Sequence, residues 1–338
     1  MTSGDRASGR MDLSLALSDN ERTRPIIDGQ VGVEGARLFT TTVHPSEMFW
    51  RQLKYAEFDV SEMSMSSLLI AASRGDYRWV GIPVFTSRMF FHTRIMVRAD
   101  RGINVPADLK GKRVAVPEYQ QTSAIWSRGV LQNEFGVNQR DIEWFMERTP
   151  DMSHGGSTGF KPPEGVKLNQ IPKSTNIGEM MVKGEVDATL LYLTNTNLVD
   201  RSKIDIDREP SIKPLFADGA AEGWRYYAKT GIYPINHTLV MRRDLYEKHP
   251  WIALNLYAAF LKAKERGLEV ARKNLAPWFE TGALNPDAAK GLRADPLAYG
   301  VRAARPVLET IAQYVHEQGL TPARVAVEDV FAKSTLDV

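Results

Sequence analysis

The sequence predicts an α/β protein of two similarly built lobes with a helical C-terminal region. Three observations carry this. Short apolar runs alternate with amphipathic helical segments from Leu13 to Leu193. The alternation closes near Phe85 and restarts near Leu109, and a short block recurs: "KYAEFDV" at 54–60 and "VKGEVDA" at 182–188 share the order helix end, Glu, apolar, Asp, apolar. From Leu245 onward the pattern is almost wholly helical.

The elements follow in order. "LSLALS" from Leu13 alternates like a strand and ends in the polar loop "DNERTRPIIDG". "ARLFTTTV" reads as a second strand, and "SEMFWRQLKY" as a helix with Ser46 as its N-cap. "EFDVSEM" is a third strand, leading into the serine-opened helix "SMSSLLIAASRG", and "IPVF" is a fourth. The second lobe repeats the scheme: "DLKGKRVAVPE" is turn and strand, "QQTSAIWSRGVLQNEFG" a helix stopped at Gly136, and "DIEWFM" a strand. "ERTPDMSHGGSTGFKPPEG" is rich in Gly, Pro and Ser and reads as a loop. "NIGEMMVKGEVDATLLYL" gives helix, turn and strand. Helices are then expected over "HPWIALNLYAAFLKAKERGLEVARKN", "DAAKGLRADP" and "AARPVLETIAQYVHEQGL". Residues 1–10, small and polar, are expected to be disordered.

Composition narrows the chemistry. The chain has 338 residues, enough for two cores of ordinary size. It carries 43 basic against 41 acidic residues and no long basic run, which argues against nucleic acid as a partner. With no cysteine, disulfides, thiolate nucleophiles and cysteine metal sites are excluded. No stretch is long and apolar enough to span a membrane, and the N-terminal segment lacks the apolar core of a secretory signal. The expected location is therefore the cytoplasm, with no membrane partner, and a homo-oligomer is compatible with the sequence.

Several blocks carry a resemblance. "GINVPADLKGKRVAVPE", "IGEMMVKGEVDATLL" and a returning strand before C-terminal helices resemble the type II periplasmic-binding-protein fold, two lobes joined by two crossover strands. More narrowly, "LSDNERTRPIIDG", "FDVSEMSMSS", "PVFTSRMFFH", "VAVPEYQQTSAIWSRG" and "TGIYPINHTLVMRRDLYEKHPWIA" resemble the 4,5-dihydroxyphthalate decarboxylase family, over roughly residues 12–335. The resemblance implies lobe 1 from residues 11–92 and 243–338, and lobe 2 from 93–242. Two features depart from the pattern: "YLTNTN" (192–197) stands where an Arg and a Pro are expected, and the loop around Met152–Phe160 is unlike it.

What the resemblance implies is decarboxylation of a dihydroxylated aromatic dicarboxylate without a cofactor. 4,5-Dihydroxyphthalate is the favoured substrate, with protocatechuate and carbon dioxide as products. Two rival readings are a solute-binding protein for an aromatic or heterocyclic acid and a different lyase on the same fold, such as a chorismate dehydratase.

Candidate residues follow from the cleft of such a fold. "FHTRIMVRAD" and "NHTLVMRRDL" each set a His-Thr pair at a crossover, so His92 and His237 are placed to meet across the cleft as acid and base, His237 as proton donor. The plainer reading is that each ring satisfies a backbone group in the core. Ser64, with Glu62 before it, and Gln121, Thr122 and Ser123, with Glu118 and Tyr119 before them, open helices whose free N–H groups suit a carboxylate. Ordinary capping explains the same residues.

Arg22, Arg24 and Arg88 could grip a carboxylate bidentately, although a surface ion pair is the usual role of an arginine. Glu62 and Glu118 could be acids or bases, or could neutralise these arginines. Two histidines and a glutamate could hold a metal, but no HxH or HxxxH spacing supports it, so no metal is expected. His44, His154, His249 and His316 receive no role.

Overall fold

The alternating runs fold into two separate sheets in the computed structural model, which describes residues 10–195, 197–285, 287 and 295–338. The expected tail falls outside these residues except for exposed Arg10, as does most of "DAAKGLRADP". The first sheet runs β2-β1-β3-β11-β4. Its strands are β1 (Met11–Leu17), β2 (Ala36–Thr42), β3 (Val60–Ser64), β4 (Trp79–Arg88) and β11 (Ile235–Arg242). The second runs β10-β5-β9-β6-β7-β8. It is built from β5 (Met96–Arg98), β6 (Arg113–Val116), β7 (Glu143–Met146), β8 (Lys167–Gln170), β9 (Ala188–Thr189) and β10 (Ile212–Pro214).

Strands joined through helices pair parallel, as strand–helix alternation requires: β2-β1-β3 in the first sheet and β9-β6-β7-β8 in the second. β11 is antiparallel between β3 and β4. The helices are α1 (Arg24–Ile27), α2 (Pro45–Tyr55), α3 (Met65–Ser73), α4 (Thr122–Phe135), α5 (His154–Thr158), α6 (Ile177–Lys183), α7 (Gly219–Thr230), α8 (Arg243–Lys248), α9 (Trp251–Glu280) and α10 (Val301–Glu317).

The sequence repeat has a structural cause. Tyr55 ends α2 and Lys183 ends α6, and the next residue in each case, Ala56 or Gly184, closes its helix in the left-handed region. Immediately before the following strand begins, an aspartate reaches the neighbouring parallel strand. Asp59 accepts the backbone N–H of Ser14 at 2.9 Å, and Asp187 accepts that of Arg113 at 2.9 Å. The same helix stop and the same strand clamp thus occur once per lobe.

Four expectations change. β11 was expected with lobe 2 through Arg242, but it is hydrogen-bonded into the first sheet, so the chain has returned to lobe 1 by Ile235. The His-Thr stretches are not equivalent: Phe91–Arg94 is a 3₁₀ turn, whereas His237 lies within β11. The N-cap of α2 is His44, because Pro45 with its fixed φ already occupies the first helical position. The Gly-rich loop holds the one-turn helix α5, capped by Ser153 accepting from Gly156 N–H at 2.7 Å.

The core runs continuously from the first sheet through α3, α4 and α10. Gly129 lets α4 and α10 meet: a Cβ there would lie 2.1 Å from Tyr314 Cδ2. Trp126 then packs edge-on to Tyr314, with ring centroids 5.4 Å apart, and its indole donates to the Ile235 carbonyl at 2.8 Å. This helix anchors β11, which carries the site.

Candidate active site

A cavity of about 130 Å³ lies where the starts of α2, α3 and α4 converge on β11. Ser64, Phe49 and His44 line it from lobe 1, Gln121, Thr122 and Ser123 from lobe 2, and Asn236 and His237 from the returning strand. Arg148, His154 and Leu191 complete much of the rest.

His237 reaches the cavity because of its ladder position. It stands opposite Ser64 in the β11–β3 pairing, and Leu239 stands opposite Glu62. Glu62 and His237 are therefore diagonal neighbours on one sheet face. His237 Nδ1 lies 3.0 Å from Glu62 Oε2. Since a carboxylate only accepts, Nδ1 carries the proton and Nε2 is left toward the cavity. The Asn236 amide lies 2.8 Å from Nε2. Turning that amide exchanges a donor for an acceptor, so one side chain can serve both protonation states of the ring.

Glu62 is fully buried, which alone would favour its neutral form. Opposing this, His237, Ser18 and Thr86 hold its carboxyl below the ordinary range. Ser18 donates from both N–H and Oγ at 2.6 Å, and Thr86 Oγ1 donates at 2.6 Å. The residue that follows β1 and two strands, β4 and β11, thus fix one carboxylate. Phe49 packs edge-on against the imidazole of His237, with centroids 4.7 Å apart.

The opposite wall is cationic. Arg148, at the end of β7, is buried and pairs with Asp200 through Nε at 2.7 Å, while its second nitrogen donates to Ser46 Oγ at 2.6 Å. Burial opposes its charge, but Asp200 and Glu118 outweigh that and hold its pKa above the ordinary value. His154 lies beside it, with Nε2 3.3 Å from Arg148 and 3.2 Å from the Ser46 carbonyl. Burial and then Arg148 push its pKa down to about 3, so it is neutral.

The sequence candidates divide clearly. His237, Glu62, Ser64, Gln121, Thr122 and Ser123 are brought together: five line the cavity, and the sixth, Glu62, binds the His237 imidazole from behind. Ser64 Oγ and Thr122 Oγ1 meet across the lobes at 2.7 Å.

His92 is elsewhere. Its ring is buried among Phe90, Phe216 and Tyr226, and Nε2 contacts Glu222 at 3.0 Å. It does not line the cavity, because the 3₁₀ turn directs it into lobe 2 packing. Arg24 is an exposed partner of Asp19. Arg88 donates to the carbonyls of Tyr233 and Ala298 at 3.0 and 2.7 Å, which commits it to joining segments of backbone. Arg22 donates to the Thr86 carbonyl, beside the Glu62 cluster but outside the cavity lining.

Tyr119 is core, its hydroxyl donating to Gln139 at 2.7 Å beneath Arg128. Glu118 is fully buried and accepts the N–H groups of His154 and Gly155 at 3.0 and 3.1 Å, so it fixes the start of α5. Burial pushes its carboxyl up, against Arg148 and those two amides.

Sequence reasoning passed over His44, Arg148, His154 and Asn236. Arg148 and His154 lie in the segment read as a loop, where no periodicity marks which side chains turn inward. Asn236 alone carried a signal, as the polar neighbour of a histidine in an otherwise apolar strand. No group of three His, Asp or Glu side chains placed to hold a metal occurs among the described residues, and no helix among them is long and apolar enough to cross a membrane.

The chain is 34% identical over 334 residues to the 4,5-dihydroxyphthalate decarboxylase of Comamonas testosteroni, covering 97% of this chain and 98% of that one. It is 35% identical over 181 residues to the protein of the same name from Pseudomonas putida, covering 54% of this chain and 70% of the relative. No protein-family model matches. Among solved structures it resembles the periplasmic aliphatic sulphonate binding protein SsuA from Escherichia coli, with TM-score 0.55 and 13% identity over 97% of this chain and 99% of that one. It also resembles the desulfurization enzyme DSZB, with TM-score 0.52 and 16% identity over 97% and 98%. At these identities the structures define the fold, which is the type II periplasmic-binding-protein-like arrangement of two mixed sheets with helices.

Proposed function

The chain belongs to the 4,5-dihydroxyphthalate decarboxylase family, and from that premise we propose that it removes one carboxylate from 4,5-dihydroxyphthalate, giving protocatechuate and carbon dioxide. The observation that carries this reading is the His237–Glu62 pair at the edge of a small cavity lined with serine, threonine and amide groups.

Direct loss of carbon dioxide would leave an unstabilised aryl anion. Protonating the carbon that bears the carboxylate avoids it. The hydroxyl para to that carbon supplies electrons as the proton arrives, and aromaticity is lost. The carbon–carbon bond then breaks, its electron pair restores the ring, and carbon dioxide leaves. In this scheme His237 Nε2 delivers the proton, Glu62 holds the Nδ1 proton and the ring orientation, and solvent later restores the imidazolium. Arg148 and the starts of α2 and α4 supply the positive potential that two carboxylates need. The phenol-side role first expected of His92 is dropped, because its ring is enclosed in lobe 2 packing.

Purified protein supplied with 4,5-dihydroxyphthalate should release equimolar carbon dioxide and protocatechuate. The assay is run with and without chelator. Absence of turnover would sink the substrate assignment, and loss of turnover with chelator would overturn metal-free protonation by His237.

A further inference from the structure

Resting on the decarboxylase reading, we propose that His44 is a substrate-binding residue, donating a hydrogen bond from Nε2 to the carboxylate that the substrate retains. His44 lines the cavity and is the N-cap of α2. Pro45 has no N–H, so the first free donor of that helix is the Ser46 amide, which donates to His44 Nδ1 at 3.3 Å. A nitrogen that accepts cannot carry the proton, so the neutral ring has its hydrogen on Nε2. Nε2 has no partner among the described residues and is not sealed from solvent. The cap therefore presents a fixed N–H at the cavity edge.

Burial favours the neutral ring, opposed by the charge of Asp200, with Arg148, Glu47 and His237 the other ionisable groups around it. Arg148 makes the His44 donor necessary. Its Nε and one terminal nitrogen are bound to Asp200 and Ser46, and the other faces His154. Arg148 thus contributes field rather than a free fork, and a carboxylate in the cavity needs donors from elsewhere.

The retained carboxylate is the fitting acceptor. The departing one must shed its charge to leave as neutral carbon dioxide, so a donor bound there would hold the ground state back. On the retained group the charge is the same throughout, and the hydrogen bond contributes to binding alone.

The test uses His44→Asn, which keeps a capping oxygen for Ser46 N–H on a shorter side chain. Phthalate, which has both carboxylates but no hydroxyl to drive turnover, is the binding probe by calorimetry. The phthalate Kd and the KM for 4,5-dihydroxyphthalate should rise about 10- to 100-fold. The kcat should stay within roughly threefold, and the thermal midpoint should hold. Should His44→Asn fail to fold, His44→Asp caps more strongly at neutral pH and should weaken phthalate at least as much. An unchanged phthalate Kd, or a kcat loss at constant KM, overturns the proposal. Wild-type protein that binds phthalate through His44 but releases no carbon dioxide would sink the decarboxylase reading and leave this one standing. Turnover with phthalate affinity indifferent to His44 would do the reverse.

Discussion

Glu62 and His237 act as one unit, since each orients the other and neither has a second ionic partner within hydrogen-bonding distance. Replacing His237 with Asn should reduce kcat at least about 100-fold, the lower range for a positioned proton donor, while phthalate binding by calorimetry survives. A variant with full activity would remove His237 from the chemistry. Glu62→Gln keeps an acceptor but loses the charge, so it should cost both activity and stability.

Acid should weaken the fold for a stated reason. His154 is held neutral, its pKa down to about 3, whereas the unfolded chain protonates it near pH 6.5. Between these values the unfolded state binds more protons, so stability falls as pH drops from 7 toward 4. His44 and His92 are lowered too and add in the same direction. The Glu62 and Asp200 carboxyls, held below their ordinary range, contribute stability that is lost at still lower pH. Glu118 works oppositely, because its raised carboxyl favours the folded state when protonated. Urea unfolding from pH 7 to 5 should show the decline, and His154→Gln should flatten it; an unchanged slope would contradict the assignment.

At the scale of elements, α2 is the piece that closes the cavity. Its first turn meets Arg148 and His154, and Trp50 donates to the Asp151 carbonyl at 2.9 Å. The Arg148–Asp200 pair that supports this contact is buried on both sides. Asp200→Asn leaves a buried cation without its main partner, and should cost about 3–5 kcal/mol by denaturant unfolding. Little change would mean that Glu118 or solvent replaces Asp200. The α4–α10 contact is set by a missing side chain. Gly129→Ala should destabilise by about 1–3 kcal/mol, as overpacking does, unless Tyr314 finds room to turn.

For the whole molecule, a cavity of about 130 Å³ is smaller than the ~300–1,000 Å³ of most small-molecule sites. The lobes must part to admit a dicarboxylate. Among the hydrogen bonds that join them beside the cavity, besides those of α2 to Arg148, His154 and Asp151, are Ser64 Oγ and Ser66 N–H to Thr122 Oγ1, and Ser66 Oγ to the Gln120 carbonyl. Thr122→Val removes the shared hydroxyl. By small-angle scattering it should enlarge the unliganded radius of gyration, with phthalate restoring the compact value. Identical profiles with and without the substitution would show that closure rests on other contacts, such as those of α2.

The sequence by itself determined the repeated α/β scheme, the serine- and threonine-opened helices and one of the two histidines. Periodicity, helix stops and the recurring Glu-apolar-Asp block are local properties, so they survive without coordinates. The tertiary structure decided which polar residues share a space. His92 and His237 have similar neighbours in sequence, yet a 3₁₀ turn buries one and a strand register sets the other beside Glu62. Arg22, Arg24 and Arg88 looked alike as loop or strand-end cations, and each is committed to a protein partner. Arg148 and His154 come from a segment with no period at all. Convergence at a cleft depends on how two sheets face each other, and that is set by contacts between residues a hundred or more positions apart, such as Arg148 with Ser46.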